Sequence, residues 1–245
     1  MSEGLLYGVG IGPGDSELLT LKALKILKEN RVLAVPQTKG ENNTALDIVS
    51  QVIDISDKEI LYINFPMTTD KELLKESHKK SAQLISSYLN KGENVVFISL
   101  GDISIYSTFG YINSIIKDMG YKTVMIPGIP SFCAVSSALG ISITDMKKPI
   151  HIIPAVHGDI EESIKLDGTK VFMKSGSSAE DLKKSIQEKG LNEKAYAVTD
   201  CGFDTEKIFY NVNDITDKLG YFTTFIVKDW KIWLILLEQA LGHRI

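Results

Sequence analysis

Two glycine-rich loops carry the residues of this chain whose types and spacing could do chemistry. The first runs Gly8-Val9-Gly10-Ile11-Gly12-Pro13-Gly14-Asp15, between an apolar stretch with strand character, Leu5 to Ile11, and a helical pattern from Glu17 to Asn30. Strand, glycine turn and helix is the context in which a dinucleotide fold aims backbone amides at a pyrophosphate. The GxGxxG spacing fails in both registers, because Pro13 takes the third glycine position counted from Gly8 and Asp15 takes it counted from Gly10. Proline offers no N–H, and a carboxylate at the helix start opposes phosphate binding. A pyrophosphate is therefore disfavoured, and Asp15 reads either as a helix N-cap or as a direct ligand.

The second loop follows the apolar run Asn94 to Ser99 and reads Leu100-Gly101-Asp102-Ile103-Ser104-Ile105-Tyr106-Ser107-Thr108-Phe109. It gathers a glycine, a carboxylate and several hydroxyls at the carboxyl end of a strand buried on both faces, where open α/β sheets bind ligands. Such groups suit a ligand with a ribose, an amino-acid end and an adenine ring, and Asp102 would tolerate a sulfonium cation. The alternative is that Asp102 caps the following turn and Tyr106 packs in the core. There is no Walker A loop, no HExxH helix, and no ligand-like spacing among His78, His151, His157 and His243, so no protein-bound metal is expected.

The elements that must position these loops alternate regularly at first. Strands are expected at Val32 to Val35, stopped by Pro36, at Ile60 to Phe65 and at Lys122 to Ile126, with helices at Thr44 to Val52, Lys71 to Asn90 and Tyr111 to Met119. After Pro127-Gly128 the pattern changes. A small-residue helix, Ser131 to Leu139, precedes strands at His151 to Ile153, Lys170 to Lys174, Ala195 to Thr199, Lys207 to Asn211 and Phe222 to Val227. The expectation is an α/β protein of two domains: residues 1–127 with a mostly parallel sheet and residues 128–245 with a mixed sheet.

Composition sets outer limits. A net charge of −4 over 245 residues gives no general attraction to nucleic acid. The two cysteines, Cys133 and Cys201, form neither a disulfide framework nor a thiolate metal site, which fits a reducing cytoplasm. The start has no basic n-region, and no apolar run is long enough to span a membrane.

Several segments together resemble the tetrapyrrole methylase family. LYGVGIGPGDSELLTLKALKIL is similar to its first strand, loop and helix, SLGDISIYSTFGYI to its second loop, and IPGIPSFCAVSSALG to its domain junction. YAVTDCGFDTEKIFYNV and YFTTFIVK resemble its later cofactor-facing segments, so the likeness runs from Leu5 to Lys228. Phe65-Pro66-Met67, YSTF and PGIPSFCA resemble the subgroup that methylates C20 of precorrin-2 or cobalt-factor II in cobalamin biosynthesis. Ile103 stands where the family usually has proline, which predicts a looser loop, and the ending Asp229 to Ile245, with Trp230, Trp233 and Leu234 on one helical face, is unlike the family's. That ending reads as a dimer-packing helix or as an appendage foreign to the family.

The resemblance implies a tetrapyrrole methylase fold with the active site in the cleft between its domains, S-adenosylmethionine as methyl donor, a tetrapyrrole acceptor and a homodimer. It implies cofactor contacts at Gly101, Asp102, Tyr106, Ser107, Thr108, Ser131, Phe132, Met173, Gly202 and Thr224. Asp102 and Tyr106 are the candidates for assisting proton loss from the methylated carbon. The substrate's carboxylates would suit the amides and side chains of Gly12, Pro13, Gly14 and Asp15, and cations such as Lys39 or Lys174, although a single lysine is more often simply solvated. Other methyltransferases of this fold, of the diphthine synthase or ribosomal RNA ribose methylase kind, and a non-catalytic tetrapyrrole or adenosine carrier are the rival readings.

Overall fold

The computed structural model describes residues 3–37, 44–145, 147–156, 158–216 and 218–229. The chain divides into two compact units, residues 1–131 and 132–245.

The first unit opens with β1 (Leu6–Gly10). The helix expected over Glu17 to Asn30 is interrupted. A 3-10 turn, Ser16–Leu18, is capped by Asp15, and α1 (Leu21–Glu29) starts afresh where the Thr20 hydroxyl accepts the Ala23 amide at 3.1 Å. Thr20 in an extended conformation is a better N-cap than a mid-helix residue, so the break falls there. β2 (Val32–Gln37) runs through Pro36 rather than stopping before it. Its pairing with the strand on one side ends at Ala34, so the missing proline N–H costs no ladder bond there. α2 (Thr44–Ser50), β3 (Glu59–Asn64), α3 (Lys71–Leu89), β4 (Val95–Ser99), α4 (Phe109–Asp118) and β5 (Thr123–Ile126) complete the alternation.

All five strands are parallel, in the order β3-β2-β4-β1-β5. β4 is central, and its residues Val95 to Ile98 are wholly buried, as a continuous apolar run in a parallel sheet requires. Phe97, Phe109, Ile112, Ile116, Ile85 and Leu89 form the core on the α3 and α4 side. Burying side chains of this size contributes roughly 1.5–3 kcal/mol each.

α5 (Ser131–Ala138) begins on the last residue of the first unit and continues into the second, followed by β6 (Ile150–Pro154), α6 (Ile160–Ser163), β7 (Thr169–Met173), α7 (Ala179–Glu188), β8 (Ala195–Thr199), β9 (Lys207–Phe209) and β10 (Thr223–Val227). The sheet order is β6-β7-β10-β8-β9, with β6 and β7 parallel and the other pairs antiparallel. This is the mixed sheet expected from sequence. α7 is an addition to that expectation; its Leu182 and Ile186 are buried on the core that also holds Phe172, Phe225 and Val227.

Candidate active site

β1 lies between β4 and β5, so the loops leaving the carboxyl ends of all three must share one small region. The Ile11 amide donates to the Ser99 carbonyl at 3.0 Å. Gly12 and Gly101 then exchange backbone hydrogen bonds at 3.2 and 2.7 Å, both with left-handed φ (82° and 67°) that glycine adopts without strain. The two glycine loops recognised in the sequence are therefore one bonded assembly.

Asp102 ties in the third loop. One carboxylate oxygen accepts the Gly128 amide at 2.9 Å, and the other accepts the Ser104 amide at 2.8 Å and the Ser104 hydroxyl. The residue is only 9% exposed, and both oxygens are spent on this chain. Close approach explains the glycines around it. A Cβ on Gly128 would lie 2.3 Å from the Gly101 carbonyl oxygen, one on Gly10 2.6 Å from the Gly128 nitrogen, and one on Gly8 2.4 Å from the Phe109 ring. Gly8 and Gly10 are thus required by packing, which accounts for a glycine run without a phosphate. Gly12, Pro13 and Gly14 are buried, and only Asp15 reaches partial exposure, with its carboxylate accepting the Glu17 amide at 2.8 Å.

The second loop is firmly seated. Ile103, where the family usually has proline, is 2% exposed and packs within the core of the first unit. The Ser107 hydroxyl lies 2.9 Å from that of Ser99 and accepts the Phe109 amide at 3.2 Å, helping to start α4. Thr108 occupies the N-cap position but makes no side-chain cap bond, which leaves its hydroxyl for another partner. Tyr106 is held at φ 48°, a costly conformation for a side chain of this size. Burial raises its phenol above the ordinary value, so it bears its proton at neutral pH. Ser131 begins α5, where the first amides of a helix have no intrahelical partner; Phe132 beside it is buried.

In the second unit β7 and β8 run the same way on either side of the antiparallel β10, so their carboxyl ends and the start of β10 form one edge. The Ser175 amide donates to the Thr223 carbonyl at 3.0 Å and the Asp200 amide to the Phe222 carbonyl at 3.1 Å. Met173, Gly202 and Thr224 belong to this edge. Strand alternation sends Phe225 and Val227 to the α7 core and Thr224 to the opposite face. Thr224 is buried, and its hydroxyl has no hydrogen-bond partner among the described residues. The Gly202 amide is occupied by the Glu206 carboxylate at 2.8 Å. Burial, with help from Glu206, pushes the Cys201 thiol up to about 12, which removes it as a nucleophile.

Lys174 and Asp200 at the same edge have left-handed φ (57° and 51°), and the Lys174 ammonium sits 5.8 Å from the Tyr221 ring centre. Tyr221, Phe222 and Phe203 form an aromatic group there that motif and spacing do not single out, although the adjacent Tyr221-Phe222 pair is its visible signal in the sequence. Lys39 and the tail beyond Asp229 lie outside the described residues. Among the described residues no cluster of three or more His, Cys, Asp or Glu could hold a metal ion, and no helix is long and apolar enough to cross a membrane.

A parallel sheet with linked glycine loops, joined to a second mixed-sheet unit, is the fold of the tetrapyrrole methyltransferases. A cobalt precorrin-4 methyltransferase matches it with a TM-score of 0.69 at 19% identity, over 91% of this chain and 94% of that one. The Thermus thermophilus uroporphyrin-III C-methyltransferase complexed with S-adenosyl homocysteine matches with a TM-score of 0.67 at 20% identity, over 92% and 98%. Residues 5–215 match the family of Tetrapyrrole (Corrin/Porphyrin) Methylases, and the chain belongs to that family. It is similar to a probable cobalt-precorrin-2 C(20)-methyltransferase of Methanocaldococcus jannaschii, 35% identical over 72% of this chain and 75% of that protein. It is also similar to the cobalt-precorrin-2 C(20)-methyltransferase of Salmonella typhimurium, 26% identical over 93% and 98%.

Proposed function

We propose that this protein is an S-adenosylmethionine-dependent C-methyltransferase that methylates C20 of precorrin-2 or of its cobalt-containing counterpart, in cobalamin biosynthesis. The observation that carries this reading is the 35% identity to a relative named for the C20 position, spread over most of both chains. The family resemblance also supports a homodimer.

The donor set fits the methyl donor. In the first unit Thr108 keeps a hydroxyl that helix capping does not consume, and in the second unit, taken by itself, Thr224 keeps one that the sheet does not consume; the family resemblance assigns both, with Met173, to the methyl donor. Bound S-adenosylmethionine supplies an electrophilic methyl group on a sulfonium, open to in-line attack by an electron-rich meso carbon. The protein's own work is then orientation and exclusion of water. Within that division of labour Asp102 is a positioning residue: its carboxylate holds the backbone from Gly101 to Ser104 against Gly128, and the loop backbone makes the contact. Tyr106, protonated, donates a hydrogen bond rather than accepting a proton. Both assignments concern residues that the resemblance places at the cofactor.

The test is anaerobic incubation with S-adenosylmethionine and either precorrin-2 or cobalt-factor II, with the product mass and methyl position measured. Gain of one methyl group at C20 is expected. Donor binding without methylation of either acceptor sinks the assignment.

A further inference from the structure

A cavity of about 540 Å³ lies in the first unit between the amino-terminal halves of α3 and α4, within the size range of small-molecule sites. Phe65, Pro66, Lys71, Lys75, His78 and Tyr111 form much of its lining. We propose that this groove is a subsite for one carboxylate-bearing pyrrolic edge of the tetrapyrrole substrate. The proposal rests on the tetrapyrrole reading above and adds a place where the acceptor's periphery is held.

The first argument is electrostatic. Lys71 is the first residue of α3 and Lys75 lies one turn on, so two like charges sit at i,i+4 spacing at the positive end of the helix dipole. Both placements are unfavourable, by roughly 0.2–1 kcal/mol each. Neither lysine has an ion-pair partner among the described residues, whereas Lys80 farther along α3 pairs with Glu76 at 2.6 Å. Asp70 and Glu72 belong to the same turn, but Asp70 spends its carboxylate on the amides of Glu72 and Leu73, and no carboxylate among the described residues lines the cavity. Asp70 and Glu72 temper the charge of this turn from outside the groove, while the groove wall itself offers an anionic ligand two ammonium groups and, among the described residues, no carboxylate.

The second argument is shape. The His78 ring stacks on Tyr111 at 4.7 Å with 12° between planes, and Phe65 lies 5.6 Å from His78. Burial lowers the His78 pKa, so this wall is uncharged at neutral pH, and Tyr111 remains 60% exposed at its mouth. A flat conjugated ring with acidic arms matches a flat aromatic wall with two ammonium groups beside it. The third argument is continuity. Thr108, a member of the second glycine loop, also lines the cavity, so a ligand edge seated there stays connected to the loop expected to meet the cofactor.

The test compares the full-length protein with K71Q/K75Q, using uroporphyrin III as a stable polycarboxylate probe in fluorescence titrations at low salt. Charge-assisted contacts of this kind predict about tenfold weaker porphyrin binding, narrowing as salt is raised, with affinity for S-adenosylhomocysteine unchanged. Tyr111→Ala should weaken the porphyrin severalfold on its own, also without affecting the homocysteine derivative. Porphyrin affinity unchanged in K71Q/K75Q overturns the subsite, and so does a loss that appears only together with dissociation in sedimentation velocity, which assigns the groove to a second copy of the chain. If wild-type protein methylates precorrin-2 while K71Q/K75Q binds porphyrin normally, the subsite alone fails. If wild-type protein neither methylates the acceptor nor binds porphyrin, the functional reading fails with it.

Discussion

The Asp102 carboxylate accepts the amide of Gly128 at 2.9 Å, and through this bond the loop after β4 is fastened to the loop after β5. The same side chain holds Ser104, and Gly101 beside it is bridged to Gly12. One carboxylate thus organises segments from three parallel strands, in the region where a doubly wound sheet presents its ligand.

Asp102→Ala removes the acceptor for two amides. Leaving such groups unsatisfied costs roughly 1–3 kcal/mol of stability, and the freed loop should bind S-adenosylhomocysteine more weakly. Asp15→Ala removes only the cap of the 3-10 turn, for about 0.5–2 kcal/mol, and should leave that affinity in place. Urea unfolding and calorimetric titration of both variants check this. A larger affinity loss in Asp15→Ala would move the cofactor contact to the first loop.

Gly10 and Gly110 should respond oppositely to alanine. A Cβ on Gly10 meets the Gly128 nitrogen at 2.6 Å and the Gly101 oxygen at 2.7 Å, both backbone atoms fixed by the sheet and its loops. Overpacking of this sort costs about 1–3 kcal/mol or more. Gly110 is the second residue of α4, and apart from its chain neighbours and the helix's own backbone nothing lies within 4 Å of where an added methyl group would sit, so alanine there should stabilise by about 0.5 kcal/mol. Thermal midpoints of Gly10→Ala and Gly110→Ala on either side of wild type are the expected result.

How much of this is legible in the sequence depends on the range of the contacts involved. Val95 to Ile98 form an apolar run that announces a buried parallel strand, and the glycine turns on either side mark its loops. The Asp102–Gly128 bond spans 26 positions, and nothing in the spacing reveals it until β5 is known to lie beside β1. α7 escapes a periodicity reading because its apolar stripe is narrow, with Ala179, Leu182 and Ile186 buried among charged and polar neighbours. β9 ends at Phe209, short of the expected Asn211, where Tyr210 turns out to solvent. The first helix looks continuous in sequence because apolar periodicity does not register the change of backbone at Leu19 and Thr20. The residues expected at the cofactor rest on family likeness, and only the structure separates hydroxyls already bonded, such as Ser107, from those such as Thr224 that are not.

Thr224→Val tests that separation. Adjacent Thr223 keeps its hydroxyl 2.7 Å from the Gly220 carbonyl and 3.0 Å from Thr199, while Thr224 has no such bond to lose. Valine keeps the branched shape that β10 needs, so stability should stay within about 1 kcal/mol of wild type. Affinity for S-adenosylhomocysteine should fall about fivefold, the scale of one neutral hydrogen bond. An unchanged affinity by calorimetry would take Thr224 out of the cofactor set.

Lys228, just beyond β10, is fully buried with its ammonium donating to the Ser142 carbonyl. Burial lowers its pKa from 10.5 to about 8, against a partial opposing effect of Asp145. Between those two values the unfolded chain binds the proton that the folded chain has released, so stability rises with pH across that window. Below it both states are protonated and the burial penalty is constant. Lys228→Met removes this contribution while keeping a long side chain in place. Lys170, also lowered by burial, titrates in wild type and variant alike, and largely cancels in the difference. Urea midpoints measured from about pH 8 to about pH 10 should therefore climb more steeply for wild type than for Lys228→Met. Parallel curves would mean that Lys228 keeps its charge on folding.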